Sequence, residues 1–130
     1  MVVSDSLSDF YYQDFEGKAF VACKDIENRE EHLKKLGLSQ DTDYINSGVL
    51  LFNLSIMRQY TLNDYYDFFI SHKDAIIWPD QDILNGVFTK KIKVLNNDRY
   101  NVQVSNWRFK GEHDLNNVAI VHYIGNSKPW

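Results

Sequence analysis

The segment Tyr44-Ile45-Asn46-Ser47-Gly48-Val49-Leu50-Leu51-Phe52-Asn53-Leu54 joins small polar residues directly to an apolar run. Apolar residues that do not alternate with polar ones are typical of a strand covered on both faces of a sheet. The sequence therefore predicts a strand over Gly48–Leu54 that is buried on both faces. Asn46 and Ser47 are then placed where this strand begins.

Other apolar or capped segments place further elements around this strand. Strands are predicted at Lys18–Lys24, Ile92–Leu95 and Val118–Tyr123, and the end of another at Met1–Val3. Helices are predicted at Ser6–Tyr12, Asn28–Leu36, Ser55–Gln59, Asn63–Ser71 and from Pro79 onward. Strands and helices alternate along the chain, which favours an α/β sandwich with a mostly parallel sheet.

Two of the predicted helices carry apolar residues at helical spacing. One stripe consists of Leu62, Tyr65, Tyr66 and Phe69, and the other of Ile83, Leu84, Val87 and Phe88. Because residues three and four apart share a helix face, the first stripe predicts a helix, and its aromatic residues are expected in the core. The second stripe is predicted to be buried.

Composition narrows the class of protein. A chain of 130 residues with 44% hydrophobic residues can form one domain with a core. The net charge of -4 argues against nucleic acid or an anionic membrane surface as the main partner. The one cysteine, Cys23, excludes an internal disulfide framework and a cysteine-cluster zinc site, and we expect it to be an inert core residue. Neither a membrane-spanning apolar run nor a signal peptide is visible.

The C-terminal stretch His122-Tyr123-Ile124-Gly125-Asn126-Ser127-Lys128-Pro129-Trp130 follows an apolar strand. A neutral imidazole at a strand end can ligate a divalent metal, and a glycine lets backbone approach an anion. Lys128 adds a point charge suited to phosphate. One wall of a metal-diphosphate site is thus one interpretation. On spacing alone, a hydrogen-bonded histidine and an exposed lysine beside a turn explain the stretch better.

Two more segments carry groups that suit sugar chemistry. Asn46 and Ser47 can donate and accept hydrogen bonds, as sugar hydroxyls require, although on this segment alone a turn before a strand explains them better. In Trp78-Pro79-Asp80-Gln81-Asp82-Ile83-Leu84-Asn85, polar groups gather at a helix start, where an acidic residue is also common for helix stability alone. Because residues two apart diverge on a helix, at most one of Asp80 and Asp82 faces a cleft. The remaining histidines, His32, His72 and His113, are predicted to lie on the surface.

Taken together and in this order, the three segments resemble glycosyltransferase family 8. The resemblance rests on Asn46-Ser47-Gly48 with its strand, on Pro79–Asn85, and on His122-Tyr123-x-Gly125-x-x-Lys128-Pro129-Trp130. It covers essentially the whole chain and implies a GT-A, Rossmann-like nucleotide-diphospho-sugar transferase fold, α/β with a central mixed sheet.

The resemblance also implies a chemistry. Family members are retaining transferases that use UDP-sugars, usually with Mn²⁺ or Mg²⁺, and here a glucose or galactose donor and a glycan, lipid-linked or protein-linked acceptor are expected. His122 would be the metal ligand, and Gly125 and Lys128 would contact the diphosphate. Asn46, Ser47, Gly48, Asp80 and Gln81 would contact the substrates, with Asp80 and Gln81 at the reaction centre. Bacterial cell-surface glycan assembly, such as that of lipopolysaccharide, is the implied setting, in the cytoplasm or peripherally at the inner membrane.

One part of the family pattern falls outside residues 1–130. The family's Asp-x-Asp motif and uridine-binding strands would precede Met1, so the sequence is expected to be a single domain that forms the C-terminal portion of a catalytic domain. The isolated chain is then expected to be inactive, and to self-associate through uncovered strands. The alternative is a non-catalytic fragment, or a sugar- or protein-binding module of the same fold.

Overall fold

The computed structural model of the protein describes residues 1–27, 29–95, 99–105, 108–109 and 115–125. The strands in these ranges are β1 Val2–Val3, β2 Phe20–Lys24, β3 Ile45–Phe52, β4 Ile92–Leu95, β5 Val102–Ser105, β6 Arg108–Phe109 and β7 Ile120–Tyr123. The helices are α1 Ser8–Tyr11, α2 Glu30–Lys35, α3 Leu54–Met57, α4 Leu62–His72 and α5 Pro79–Val87, with a 3₁₀ turn at Leu115–Asn117. Each strand and helix predicted from the sequence is present, and β5 and β6 are additional.

The strands form two mixed sheets. One sheet has the order β3-β2-β4, in which β2 is antiparallel to β3 and parallel to β4. The other has the order β1-β7-β5-β6, and its parallel pair is β5 with β7. The prediction of a mostly parallel sheet is therefore wrong. Alternation of elements does not fix direction here, because α2 and the loop after it return the chain to the end of the sheet where β2 stops.

Strand β2 organises the hydrophobic core because it is buried on both faces. Val21 and Cys23 pack in one cluster, and Phe20 and Ala22 pack in another, as the two-residue alternation of a strand requires. Cys23 is buried in the first cluster, as expected from the sequence. A third cluster, around Leu33, Leu36 and Tyr44, secures α2.

Strand β3 is less buried than predicted. Val49 and Leu51 contact one core cluster and Leu50 contacts the other, yet all three are only half-buried. Among the described strands, β3 lies at the edge of its sheet, so neighbouring side chains cover it from one side. The prediction of a strand fully buried on both faces is therefore wrong, although both faces do contact a core.

The stripe correctly predicted helix α4, but the expectation that its aromatic residues lie in the core is wrong for Tyr66. Tyr65 packs against the core, but Leu62 is 82% exposed and Tyr66 is 59% exposed. The helix instead uses the face that carries Tyr65 and Phe68. The Phe68 ring occupies the space that a side chain at Gly86 would need, so α4 and α5 approach closely at that point.

Helix α5 buries polar residues where an apolar stripe was predicted. Phe88 after its last turn is buried, but Ile83, Leu84 and Val87 are only half-buried. Its fully covered side chains are instead Gln81, Asp82 and Asn85. Asn85 hydrogen-bonds the backbone N–H and C=O of Ile45, with distances of 2.8 and 2.9 Å, and so ties α5 to β3. No helix in the described part of the chain has both the length and the apolar character needed to cross a bilayer.

Candidate active site

A cleft of about 360 Å³ lies where several strand ends meet the start of α5. The carboxyl ends of β2, β5 and β7 contribute to it, together with the beginning of β3, and ligands of open α/β sheets gather at such places. Its lining residues are Asp25, Glu27, Arg29, Asn46, Ser47, Trp78, Asp80, Gln81, Gln103, Ser105, His122, Tyr123, Ile124 and Gly125.

The cleft brings together most of the residues singled out from the sequence. Asn46, Ser47, Asp80, Gln81, His122 and Gly125 all line it, although they come from three separate segments. Gly48 lies beside the cleft and does not line it, and Lys128 lies outside the described residues.

Gln81 sits at the centre of the polar contacts. Its amide nitrogen donates to Asp25 Oδ2 at 2.9 Å, and its Oε1 accepts from Asn46 Nδ2 and from the backbone N–H of Ser47, both at 3.1 Å. A carboxylate only accepts and a backbone N–H only donates, so these two partners fix which way the Gln81 amide points. The side chain is almost fully buried and therefore rigidly placed.

The contacts continue from Asn46 to the second sheet. Asn46 Oδ1 accepts from Asn101 Nδ2 at 2.8 Å and from the Gly48 N–H at 3.0 Å, and Asn101 Oδ1 lies 3.0 Å from His122 Nδ1. Because Asn101 presents its oxygen, Nδ1 must carry the proton, and the neutral form of the imidazole then has its lone pair on Nε2. We call the series Asp25, Gln81, Asn46, Asn101 and His122 the amide relay.

This tautomer is the one that a metal-ligating histidine requires. A ligating histidine usually donates its other ring N–H to an oxygen acceptor, as His122 does to Asn101. Among the residues that the structure describes, no three His, Cys, Asp or Glu side chains converge as a metal-ligand group. His122 therefore fits as one ligand of a divalent cation, and the described residues do not complete a site by themselves.

Gly48 determines how closely the histidine can approach β3. A side chain at this position would overlap the His122 ring and the Asn46 Oδ1 atom. Only a residue without a Cβ leaves this space to the imidazole. The structural requirement for glycine at position 48 is therefore the packing of His122 against the strand.

Asp80 is one of two exposed carboxylates that line the cleft, and the other is Glu27. It stands in the first turn of α5, directly after Pro79, and accepts a hydrogen bond from Ser47 Oγ at 2.5 Å. Two residues further on, Asp82 is completely buried on the other side of the helix. The prediction that at most one of the two faces a cleft is confirmed.

Asp82 anchors the turn that leads into α5. It accepts hydrogen bonds from the Tyr44 hydroxyl, from His32 Nε2 at 2.6 Å, and from the backbone N–H groups of Ile77 and Trp78 at 2.8 and 2.9 Å. Burial by itself raises the pKa of Asp82, but these hydrogen bonds outweigh it and lower the pKa below its ordinary value. Burial and the contact with Asp82 raise the pKa of Tyr44.

The prediction that the other histidines lie on the surface is wrong for His32, and His72 is partly covered. His32 is only 8% exposed, because it pairs with Asp82, 50 residues away along the chain. His72 is half-buried, stacks on the Phe68 ring and contacts the Phe68 carbonyl through Nδ1 at 2.9 Å. His113 lies outside the described residues.

Sequence reasoning missed the acidic end of the amide relay. Asp25 follows β2 directly and is almost fully buried, with Arg29 Nη2 at 3.1 Å from its carboxylate. Arg29 also pairs with Glu27 at 3.1 Å and lies over the Trp78 ring at 3.9 Å. The available signal was the position of Asp25 at the carboxyl end of a buried strand, where functional groups of α/β sheets tend to lie.

Strand β5 was missed as well, and with it one wall of the cleft. Its residues alternate, so that Val102 and Val104 are buried on one face while Gln103 and Ser105 point to the cleft. The alternation Asn101-Val102-Gln103-Val104-Ser105 is the sequence signal that could have located it.

The arrangement matches solved glycosyltransferases. The structure superposes on the galactosyltransferase LgtC in complex with donor and acceptor sugar analogs with a TM-score of 0.83 and 29% identity, covering 98% of this chain and 51% of that one. The protein therefore has the GT-A glycosyltransferase fold, with mixed sheets as the resemblance implied.

The family follows from the sequence comparison. The family model for glycosyl transferase family 8 matches residues 1–130, and the chain belongs to this family. A putative glycosyltransferase of Haemophilus influenzae is 27% identical over 99% of this chain, and lipopolysaccharide 1,2-glucosyltransferase of Escherichia coli is 24% identical over 100%. The chain spans 41% and 42% of the lengths of these two relatives.

Proposed function

We propose that the full-length protein is a retaining hexosyltransferase that moves glucose or galactose from a UDP-sugar to a glycan or glycoconjugate acceptor. The observation that carries the proposal is the amide relay, which joins residues of both sheets in one cleft lined by sugar-compatible groups. Family membership supports it, as do relatives named as a glucosyltransferase and a galactosyltransferase.

The roles of the cleft residues follow from charge. As the bond to the leaving group breaks, the sugar acquires positive charge, which carboxylates and carbonyl oxygens stabilise. Asp80 is proposed as the nucleophile, or as the group that positions the acceptor hydroxyl. Gln81 is proposed to stabilise the cationic sugar through its amide oxygen. Asn46 and Ser47, with Gly48, are proposed to bind substrate hydroxyls.

Asp25 adds a second negative charge to this environment. Its carboxylate lies behind Gln81 and is held by Arg29, so it orients the Gln81 amide and keeps that amide oxygen turned away from itself. We therefore propose Asp25 as a positioning residue for the reaction centre.

The leaving group requires positive charge elsewhere in the cleft. Gly125 has a φ of 73° and lines the cleft, which suits close approach of a diphosphate to backbone, and Lys128 is proposed as a further diphosphate contact. His122 is proposed as one ligand of Mn²⁺ or Mg²⁺, and the nitrogen donor favours Mn²⁺. When bound, such a cation neutralises charge on the departing diphosphate.

Transfer by the full-length protein tests the proposal. UDP-glucose and UDP-galactose would be offered with saccharide acceptors, with Mn²⁺ or with a chelator, and the anomeric configuration of the product would be read by NMR. Retention of configuration and loss of transfer with chelator are expected. Saccharide binding without turnover would instead support a binding module, and inversion would exclude the retaining assignment.

A histidine pair provides the matched control. His122→Ala is expected to weaken Mn²⁺ dependence, whereas His72→Ala removes an imidazole that does not line the cleft and should leave the metal titration unchanged. Equal behaviour of the two variants would contradict His122 as a ligand.

Self-association through the exposed β1 edge at Val2 and Val3 remains a prediction, to be checked by sedimentation.

A further inference from the structure

Gln103 lines the cleft, but its side chain is almost completely buried, with 1% of it exposed. Neither polar atom of its amide, Nε2 or Oε1, has a hydrogen-bond partner among the described residues. Native proteins satisfy the large majority of buried polar side-chain atoms, because an unpaired buried donor or acceptor opposes folding. An amide retained in this condition on the wall of a cleft therefore calls for a ligand.

The position of Gln103 relates it to the proposed reaction centre. In the parallel pair of β5 and β7, Gln103 is directly opposite His122. Paired residues of neighbouring strands point to the same face of a sheet, and both side chains line the cleft. Asn101, two residues earlier, is in the amide relay, so Gln103 is the next group along the same face.

The chemistry of the amide identifies the kind of group that it can bind. A phosphate oxygen only accepts and would leave Oε1 unsatisfied, and an apolar group would satisfy neither atom. A sugar hydroxyl both donates and accepts, and two neighbouring hydroxyls can pair with both amide atoms. Sugar hydroxyls are therefore the ligand chemistry that matches Gln103.

We propose that Gln103 is a specificity-determining residue that hydrogen-bonds a hydroxyl of a bound sugar in the cleft. This inference rests on the proposed function, because it requires a sugar substrate there. The hydroxyl can belong to the transferred sugar or to the acceptor, and deoxy analogues of each distinguish these sources.

The experiment pairs a protein variant with substrate variants. Gln103→Met keeps the length of the side chain and removes both polar atoms, and Gln103→Leu provides a second apolar replacement. Full-length wild type and both variants would be assayed for kcat/KM with the parent substrates, with a series of monodeoxy donors and with a series of monodeoxy acceptors. Thermal unfolding of each protein would be recorded without substrate.

The hydrogen bond can be removed from either side, by the substitution or by the missing hydroxyl. The loss of kcat/KM is therefore expected once, and the two changes together should cost no more than either alone. Removing the contacted hydroxyl should lower kcat/KM of the wild type by about tenfold, which is the usual size of one neutral hydrogen bond, and should cost the Met variant almost nothing. With the parent sugar, the Met variant should show that same loss. Its thermal midpoint should rise, since an unsatisfied buried amide is gone.

The outcomes separate the two proposals. If the wild type transfers sugar but every deoxy analogue affects wild type and both variants alike, the role of Gln103 is overturned while the proposed function stands. If the wild type transfers no sugar, both proposals fall. A loss confined to one donor or one acceptor hydroxyl, and absent in the variants, supports the inference and identifies the source.

Discussion

The adjacent helices α4 and α5 follow opposite rules of burial. Helix α5 covers an amide, a carboxylate and a second amide, at Gln81, Asp82 and Asn85, whereas α4 leaves Leu62 and Tyr66 open to solvent. In α5 each of these polar side chains has hydrogen-bond partners on other elements. The difference shows that hydrogen-bond partners decide which face of α5 is covered, whereas α4 covers the apolar face that carries Tyr65 and Phe68.

The strongest test of the comparison is loss of the buried carboxylate. Asp82→Ala leaves Tyr44, His32 and two backbone N–H groups without their acceptor, and is expected to lower the free energy of unfolding by about 3–5 kcal/mol in urea titrations. Asp80→Ala, on the exposed side of the same helix, should change it by at most about 1 kcal/mol, which is the size of a lost first-turn carboxylate. Equal effects would contradict the anchoring role.

The difference in unfolding free energy between wild type and Asp82→Ala should also depend on pH. Because the pKa of Asp82 is lowered in the folded protein, its ionisation contributes stability above the carboxyl pKa of the unfolded chain. That contribution is lost as the pH falls through the folded-state pKa. The difference in unfolding free energy between wild type and Asp82→Ala should therefore shrink in acid, and a constant difference would argue against an ionised Asp82.

The next largest effect is expected on transfer activity, from a substitution at Gly48, where β3 packs against the His122 ring of the second sheet. Gly48→Ala should displace the His122 imidazole and reduce Mn²⁺-dependent transfer by up to about a hundredfold, as changes beside metal ligands do. Transfer and Mn²⁺ titration of Gly48→Ala, His122→Ala and the double variant would be compared. The double variant should be no worse than His122→Ala, and additive losses would show that Gly48 acts in some other way.

A smaller effect is expected from a buried amide of α5. Asn85→Leu keeps the volume of the side chain but leaves the backbone N–H and C=O of Ile45 unpaired, which is expected to cost about 1–3 kcal/mol in unfolding free energy. Asn85→Asp is informative beside it, because a carboxylate would still accept from the Ile45 N–H but would face the Ile45 and Gln81 carbonyls without a donor. At neutral pH it should cost at least as much as Asn85→Leu, and a clear recovery of stability would contradict the role of the donated hydrogen bonds.

The smallest effect is expected from an apolar residue. Leu62→Ser on α4 should change the unfolding free energy by less than about 0.5 kcal/mol, because the leucine is 82% exposed. A change above 1 kcal/mol would mean that α4 packs differently, and would remove the contrast with α5.

The sequence was sufficient for those features that depend on local pattern or on whole motifs. The run Ile92–Leu95 forms its strand with the predicted bounds, and α5 begins at Pro79 as its helix-start residues indicate. The three quoted motifs pointed to the cleft, since Asn46, Gln81 and His122 do meet there.

The features that were missed depend on partners far apart in the chain. Nothing near His32 reveals that Asp82 will lie against it. For α4, the stripe of Leu62 and Tyr66 overlaps a second one, Tyr65 and Phe68, and only the close approach at Gly86 selects between them. The sequence places Asp25 at the end of one strand and Gln103 within an alternating run, but only the assembled sheets bring both residues to the same cleft.

The amide relay gives the cleft a built-in direction. Each of its three amides, Gln81, Asn46 and Asn101, donates a hydrogen bond on the side of Asp25 and accepts one on the side of His122. No single amide can therefore turn over without breaking contact with its neighbours. Turning the imidazole would require all three amides to reverse, and the last would then offer an oxygen to a carboxylate. The Asp25 carboxylate in one sheet thus dictates, through four contacts, which ring nitrogen of His122 in the other sheet carries the proton.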